Sequence, residues 1–264
     1  MKKFLTVALA GVLAASMLFT GCSKKAESKV PDKLIVGTNA EFPPFEYMND
    51  KKQPEGFDIA MIKEIGKRMG KKVEIKNMEF KSLIGAMESD SINAIIAGMT
   101  KTEKREKAVD FSDSYYTTNQ AIILKKDSKV TKLAQLDGKK IGVQEGTTGD
   151  LISSGDKFGD GKKAKVLVKG AKVKRFKKGV DAVMDLKNGS VDAVVIDELT
   201  ANEFVKKNAK KLKLVIDSAG SEYYCIALTK GNTAYKEEVN KQIKAIKEDG
   251  TYDKLKAKYI DSKN

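Results

Sequence analysis

Residues 82–98 read SLIGAMESDSINAIIAG, and residues 179–197 read GVDAVMDLKNGSVDAVVID. Each stretch predicts an amphipathic helix, a polar turn and a short buried strand, because apolar residues recur at helical spacing and then run together. The same unit therefore occurs once in each half of the chain. This repetition predicts two similar lobes in place of one large sheet.

The rest of the chain alternates strand and helix patterns in the same way. Strands are predicted at 34–39, 73–78, 93–98, 120–126, 140–144, 171–176, 191–197, 213–217 and 223–228, and helices at 58–70, 82–90, 132–138, 149–154, 180–189, 233–250 and 251–260. This alternation predicts the α/β class, with a mainly parallel sheet flanked by helices in each lobe. Because ligands bind beyond the carboxyl ends of strands in such sheets, the predicted site is the cleft between two facing lobes.

The composition excludes several classes of function. The net charge is +14, but lysines alternate with acids in stretches such as TEKREK (102–107), which is typical of solvated helix faces and not of a nucleic-acid surface. The chain has no histidine, and its two cysteines, Cys22 and Cys225, lack metal-type spacing. We therefore expect no nucleic-acid partner, no metal ion and no cofactor. Cys225 lies in the apolar stretch YYCIAL and is predicted to be buried.

The N-terminus has the pattern of a secretory signal. Residues 1–21 begin with a basic pair and continue as an uncharged, largely apolar run, which indicates a signal peptide. Cys22 follows, and the segment resembles the lipobox of bacterial lipoproteins, although Phe19 replaces the usual leucine. The resemblance implies that lipid chains such as palmitate on Cys22 hold the protein outside the cytoplasm, at the cell surface or in the periplasm, without a membrane span. Residues 22–32 are then a flexible tether, and the alternative is an uncleaved anchor.

Arg105 is unusual in a sequence that uses lysine for almost all of its positive charge. Only three of the 50 basic residues are arginine, and Arg105 comes soon after the predicted strand at 93–98. Arginine offers a planar fork of donors that binds a carboxylate with two hydrogen bonds, which lysine cannot do. Arg105 is therefore a candidate carboxylate-binding residue. The alternative is a surface arginine paired with Glu103 or Asp110.

Three further features lie at the predicted cleft. The stretch GTTGD (146–150) opens a helix after a strand, where it suits an anion or where a threonine simply caps the helix. Asp197 ends a buried strand and suits an ammonium group, or it caps the next helix. Phe42 and Phe80 are cleft walls or core residues. A cation, an anion and apolar walls match a free amino acid, and no pair resembles an activated nucleophile, so we expect a binding protein and not an enzyme.

Six long stretches carry a family resemblance that covers the chain from Lys33 to Ile260. They are GTNAEFPPFEY (37–47), GFDIAMIKEIGKRMG (56–70), AGMTKTEKREKAVDFSDSYY (97–116), LDGKKIGVQEGTTG (136–149), VDAVVIDE (191–198) and EDGTYDKLKAKY (248–259). The chain resembles the polar-amino-acid solute-binding proteins of bacterial ABC importers, which are family 3 of the extracellular solute-binding proteins. The resemblance implies an ABC transporter permease as partner, and a monomer is the default expectation.

In that family, two lobes joined by two hinge strands close on the ligand, in the type II periplasmic-binding-protein-like fold. The resemblance implies that lobe 1 comprises residues 33–122 plus 226–264 and that lobe 2 comprises residues 123–225. The hinge strands would be AIILK (121–125) and YCIAL (224–228).

The resemblance also implies roles for individual residues. Arg105, with help from Thr100, would bind the ligand carboxylate, and Asp197 would hold the α-ammonium group. The implied ligand-binding residues are Asn39, Glu41, Phe42, Phe80, Gly98, Met99, Thr100, Arg105, Gln144, Thr147, Thr148 and Asp197. Among them, Thr147 and Thr148 would donate to the carboxylate from the second lobe.

Ligand selectivity is expected to depend on residues near the end of the first strand. Members of the family that take basic amino acids often have an acid where Asn39 stands, but Glu41 lies two residues further on and would supply the charge. The form NAEFPPFEY resembles arginine-binding members, and Gln144 is expected at the side-chain pocket. We therefore expect arginine or lysine as the ligand, with glutamine or cystine as alternatives. A cyclohexadienyl-dehydratase-like enzyme, with Glu41 expelling water, and a surface adhesin are the alternative classes.

Overall fold

A computed structural model of the chain describes residues 29–155, 168–216 and 221–263. The predicted signal peptide, Cys22 and most of the predicted tether lie outside the described residues. Among the residues described, no helix is long and apolar enough to cross a membrane.

Strands and helices alternate along most of the chain. The strands are β1 (Lys33–Thr38), β2 (Glu41–Phe42), β3 (Glu46–Met48), β4 (Pro54–Glu55), β5 (Lys72–Asn77), β6 (Ala94–Ile95), β7 (Val109–Thr118), β8 (Gln120–Lys125), β9 (Lys140–Gln144), β10 (Lys172–Phe176), β11 (Ala193–Asp197), β12 (Leu212–Ile216) and β13 (Glu222–Thr229). The α-helices are α1 (Phe57–Arg68), α2 (Leu83–Glu88), α3 (Glu103–Glu106), α4 (Thr148–Ser154), α5 (Gly179–Asn188), α6 (Glu198–Lys206), α7 (Thr233–Glu248) and α8 (Thr251–Tyr259). Short 3₁₀ helices span Phe80–Ser82, Leu133–Leu136 and Asp261–Lys263.

Two five-stranded sheets form the two lobes, with strand orders β5-β1-β6-β13-β7 and β10-β9-β11-β8-β12. The two orders correspond position by position, so the prediction of two similar α/β lobes is confirmed. A small third sheet, β2-β3-β4, extends the first lobe beside the cleft.

The expectation of mainly parallel sheets is confirmed by the strand directions. In each large sheet four of the five strands run in the same direction, and the fourth strand in the order, β13 or β8, runs antiparallel to both of its neighbours. The physical reason is connectivity. Parallel neighbours are joined by helical crossovers, whereas β8 and β13 enter their sheets from the opposite lobe and so run against their neighbours.

The predicted lobe boundaries fall inside strands. Each of β8 and β13 belongs to a single sheet over its whole length, β8 to the second and β13 to the first. The first change of lobe therefore falls at Asn119, between β7 and β8, and the second falls between Ile216 and Glu222. Both changes of sheet therefore lie a few residues earlier in the chain than the lobe boundaries expected at 122/123 and 225/226.

Strand β7 was not predicted from the sequence, because polar residues interrupt its apolar pattern. Their backbone and side-chain groups are nevertheless satisfied in the fold. The Ser112 hydroxyl accepts a hydrogen bond from the backbone N–H of Ile226 at 2.9 Å, and the backbone N–H of Asp113 donates to the Asn240 side chain at 2.8 Å. Because these polar residues bond to neighbouring elements, the strand does not show the alternation of apolar and polar residues by which a strand is predicted.

The helices pack on the sheets through the apolar faces predicted from their spacing. Helix α7 buries Tyr235, Val239, Ile243 and Ile246, as expected. Cys225 is also buried, which raises the pKa of its thiol to about 11. Burial of these faces fixes the sheets and hence the positions of the loops at the carboxyl ends of the strands.

Candidate ligand-binding site

A cavity lies between the two lobes, at the carboxyl ends of the central strands. Its lining contains all but two of the implied ligand-binding residues, together with one that was not foreseen, Ala97. The lining residues are Asn39, Phe42, Phe80, Ala97, Gly98, Thr100, Arg105, Gln144, Thr147, Thr148 and Asp197. The exceptions are Glu41 and Met99.

Arg105 lies on α3, whose first turn is capped by the Thr102 hydroxyl accepting from the Arg105 backbone N–H at 3.3 Å. Its side chain donates from Nη1 to the Thr100 carbonyl at 2.5 Å and from Nη2 to the Gly146 carbonyl of the opposite lobe at 3.0 Å. The guanidinium also lies over the Phe80 ring, 5.3 Å from its centroid. Arg105 is therefore a cleft residue that connects both lobes.

Arg105 differs from the other two arginines in its electrostatic surroundings. Arg68 pairs with Glu64 at 2.8 Å, and Arg175 pairs with Asp150 at 2.9 Å. Within the described residues, no acid forms an ion pair with Arg105, which is only 6% exposed. Burial lowers the pKa of Arg105 to about 10, and nearby negative charge opposes the shift. The group stays cationic at neutral pH, and the alternative of a surface ion pair is excluded.

Asp197 ends β11 and occupies the N-cap position of α6, but its side chain makes no capping hydrogen bond. The carboxylate instead accepts from the Tyr224 hydroxyl at 2.7 Å. It is 3% exposed, and no lysine or arginine among the described residues forms an ion pair with it. Burial, followed by the negative charge of Glu222, raises the pKa of Asp197 to about 7. The capping alternative is therefore excluded, and a buried acid lies in the cavity wall.

The threonine hydroxyls have other partners than those implied by the resemblance. Thr147 caps α4, accepting from the Asp150 backbone N–H at 3.3 Å and donating to the Gln144 carbonyl at 2.8 Å. The Thr148 hydroxyl donates to Glu222 at 2.7 Å. A hydroxyl has one proton, so neither has a proton left for a ligand carboxylate in this arrangement. In the first turn of α4 the backbone N–H groups of Thr148 and Gly149 have no intrahelical partner, whereas that of Asp150 donates to Thr147.

Glu222, at the start of β13, was missed by the sequence analysis. One carboxylate oxygen, Oε2, accepts from the Thr100 hydroxyl of the first lobe and from the Thr148 hydroxyl of the second, each at 2.7 Å. The available signal was its spacing from Tyr224. Residues two apart point to the same face of a strand, and Tyr224 reaches Asp197 from that face.

Gly98 is a position where only glycine fits. Its φ is +52°, and a Cβ there would lie 3.0 Å from the Phe42 ring. Its backbone N–H donates to Asp58 Oδ2 at 2.8 Å, and the same oxygen accepts from the Tyr115 hydroxyl at 2.7 Å. Burial raises the pKa of Asp58 to about 6 and that of the adjacent Glu46 well above its usual value. This buried pair of carboxyl groups supports the cavity wall from behind.

Replacing Gly98 with alanine is expected to weaken ligand binding at least ten-fold, because the new methyl displaces the Phe42 ring. Gly138→Ala is the matched control. Gly138 also has positive φ, +71°, but nothing lies within 4 Å of its added Cβ. Both variants should lose about 1 kcal/mol of folding free energy from backbone strain, and only Gly98→Ala should lose affinity. Calorimetric titration and thermal unfolding measure both; equal affinity losses would contradict this account of Gly98.

The two residues outside the lining have other partners. Glu41 pairs across the cleft with Lys178 at 2.7 Å, so its charge is compensated at the rim. Met99 is 1% exposed and packs in the core of the first lobe. Glu41 therefore does not supply a charge next to Asn39. The side chain beside Asn39 is that of Gln144, whose Nε2 donates to Asn39 Oδ1 at 2.8 Å.

Two more ion pairs bridge the rim beside Glu41–Lys178. Lys177 pairs with Glu79 at 2.7 Å, and Lys81 pairs with Glu145 at 2.9 Å. In all three pairs, here called the rim pairs, one partner belongs to each lobe and the lysine side chain is at least 43% exposed. The lobes are thus in contact both inside and around the cavity.

Two α/β lobes around a cavity with one buried cation and one buried anion define the class of two-lobed solute-binding proteins. The described residues contain no cluster of acids, cysteines or histidines that would hold a metal ion. A model of the bacterial extracellular solute-binding proteins, family 3, matches residues 34–262, and the chain belongs to this family.

Similar proteins fall in the same group. The arginine-binding extracellular protein ArtP of Bacillus subtilis (strain 168) is 33% identical over 263 residues, which is 98% of each chain. The structure of an ancestral arginine-binding protein bound to arginine is 42% identical, has a TM-score of 0.79, and covers 88% of this chain and 100% of its own. A second structure, of an ancestral arginine-binding protein bound to glutamine, is 41% identical with a TM-score of 0.78, covering 88% of this chain and 99% of its own.

One structural relative is connected with catalysis. The ancestral amino acid-binding protein AncCDT-1, described as a precursor of cyclohexadienyl dehydratase, is 33% identical with a TM-score of 0.76, covering 86% of this chain and 95% of its own. That relative is itself an amino acid-binding protein.

Proposed function

We propose that this protein binds a free basic amino acid, arginine or lysine, in the cavity between its lobes and delivers it to the permease of an ABC importer. The observation that carries the proposal is that Arg105 and Asp197 both line one cavity. Both are buried without an oppositely charged residue in contact among the described residues. An α-amino acid supplies both missing partners, a carboxylate and an ammonium group.

The side-chain region of the ligand would lie between Phe42 and Phe80, with Asn39 and Gln144 as polar partners. Aromatic faces suit a guanidinium or ammonium group, and amide oxygens accept its protons. ArtP and the ancestral relative support arginine, whereas the glutamine-bound structure supports glutamine as the alternative. Cystine remains a further alternative with the same main-chain groups.

Binding is proposed to act through the relative position of the lobes. The open form would take the ligand on one lobe, and closure would bring the other lobe's groups to it, shifting an existing equilibrium between two states. Arg105 contacts Gly146 across the cleft, so it would hold the closed lobes together as well as bind the ligand. The closed surface is what the permease would recognise. A monomer held at the outer side of a membrane by lipid on Cys22 fits this task.

A panel of ligands tests the proposal. The purified chain is heated with each common amino acid, cystine, ornithine and prephenate, because a ligand of the native state raises the melting temperature by mass action. We expect shifts confined to arginine, lysine and ornithine. A shift with glutamine or cystine alone would keep amino-acid binding and replace the ligand. Turnover of prephenate or arogenate, or no shift at all, would favour the enzyme or the adhesin.

A further inference from the structure

We propose that Glu222 is a selectivity residue of this site: by accepting both threonine hydroxyl protons, it makes Thr100 and Thr148 acceptors for the α-ammonium group of the ligand. The inference rests on the proposed function and assigns part of the ligand to a residue that the family resemblance did not include. It also revises the expectation that these two hydroxyls donate to the ligand carboxylate.

The hydrogen-bond geometry carries the first step. Glu222 Oε2 lies 2.7 Å from both Thr100 Oγ1 and Thr148 Oγ1. In both contacts the threonine hydroxyl is the donor and the carboxylate oxygen the acceptor, so each hydroxyl donates its single proton to Glu222. The Thr148 oxygen also accepts from Gln120 Nε2 at 3.2 Å, which fixes its orientation further. The lone pairs that remain on the two oxygens can only accept from a ligand.

The surrounding charges carry the second step. Thr100 and Thr148 both line the cavity with Asp197, and Glu222 contributes negative charge to the same region. Two acids and two hydroxyls with their protons turned away form an environment for a cation. Arg105, which also lines the cavity, provides the fork of donors that a carboxylate needs. The ammonium group of the ligand is thus assigned to the acids and the threonine hydroxyls, and its carboxylate to Arg105.

Glu222→Gln tests the division, because the amide removes the charge and can itself donate to a threonine oxygen. Three ligands are titrated into each protein by calorimetry: L-arginine; agmatine, which lacks the carboxylate; and 5-guanidinopentanoate, which lacks the α-amino group. We expect affinity for arginine and agmatine to fall about ten-fold or more, the scale of hydrogen bonds to a charged group, while the deaminated ligand changes less than about three-fold.

The three ligands are compared within one protein sample, so a general loss of folded protein affects them equally. Glu237→Gln, at an exposed site on α7, makes the same charge change as the matched control and should alter none of the affinities. An equal loss for arginine and 5-guanidinopentanoate, or no loss for arginine, overturns the assignment of Glu222.

If the wild-type protein binds none of the three ligands, the basic-ligand proposal fails by itself. The same contrast is then made with L-glutamine, 4-aminobutanamide and 4-carbamoylbutanoate, which differ in the same two groups. Loss shared by glutamine and the decarboxylated ligand supports the role of Glu222, and loss shared by glutamine and the deaminated ligand overturns it.

Discussion

Arg105→Lys is expected to lower affinity for the amino acid on the order of 100-fold, while the protein keeps its fold. Lysine carries the same charge but presents one compact ammonium group, which cannot donate to the Thr100 carbonyl, the Gly146 carbonyl and a ligand carboxylate together. Each lost hydrogen bond to a charged group costs about 1.5–3 kcal/mol, and about 1.4 kcal/mol is a factor of ten in affinity.

Arg68→Lys is the matched control for this prediction. Arg68 lies on α1 and pairs with Glu64 and Asp249, away from the cavity lining. It should change affinity by less than two-fold. Calorimetric titration of both variants with arginine, together with their unfolding temperatures, makes the comparison. Normal affinity in Arg105→Lys would show that the guanidinium fork does not bind the carboxylate.

Asp197→Asn is expected to weaken amino-acid binding and to remove its dependence on pH. Burial and the charge of Glu222 raise the pKa of Asp197 to about 7, so the carboxyl group gains a proton as the pH falls below that value. A protonated carboxyl group cannot pair with an ammonium group. Wild-type affinity should therefore fall with decreasing pH, approaching about ten-fold per unit below the pKa, and the asparagine variant should show no such slope.

The same substitution should stabilise the ligand-free protein at high pH. The pKa of Asp197 is higher in the folded protein than its usual value of 3.8, so the folded state holds the proton more tightly. Stability is then lost as the pH rises from 3.8 towards 7, on the order of 1.4 kcal/mol per pH unit, and asparagine avoids this loss. At pH 8 we expect Asp197→Asn to melt above the wild type, although it binds worse.

Asp127→Asn, at an exposed position, is the control for Asp197 and should change neither property. Melting curves at pH 5 and pH 8, with titrations at both values, separate the two effects. A variant that melts below the wild type at pH 8 would contradict the raised pKa of Asp197.

The type of a residue and its position relative to the predicted strands were enough to place Arg105 and Asp197 at the cavity, without knowledge of their contacts. An arginine in a lysine-rich chain and an acid at the end of a buried strand both lie in the cavity wall, because the carboxyl ends of parallel strands meet at one edge. Glu222 could not be found in this way. It stands at the start of an antiparallel strand, and its role depends on two threonines from opposite lobes that no local pattern connects.

Glu41 shows the converse limit. Its position two residues after Asn39 predicted an acid in the cavity. The side chain lies instead at the rim, where it pairs with Lys178 of the other lobe. The orientation of a charged side chain depends on the opposite charges near it in the folded protein. For Glu41 that charge is Lys178, which is distant in sequence. The same limit applies to β7, whose polar residues are satisfied by elements that come later in the chain.

The three rim pairs have a consequence for timing. Exposed ion pairs are each worth at most about 1 kcal/mol and are weakened by salt, so the rim resists separation of the lobes only slightly. None of these lysines and glutamates lines the cavity. If the lobes open and close as proposed, we expect substitutions at the rim to change slightly how long the cleft stays closed and to leave the choice of ligand to the cavity residues. Dwell time can therefore change at the rim without a change in the residues that line the cavity.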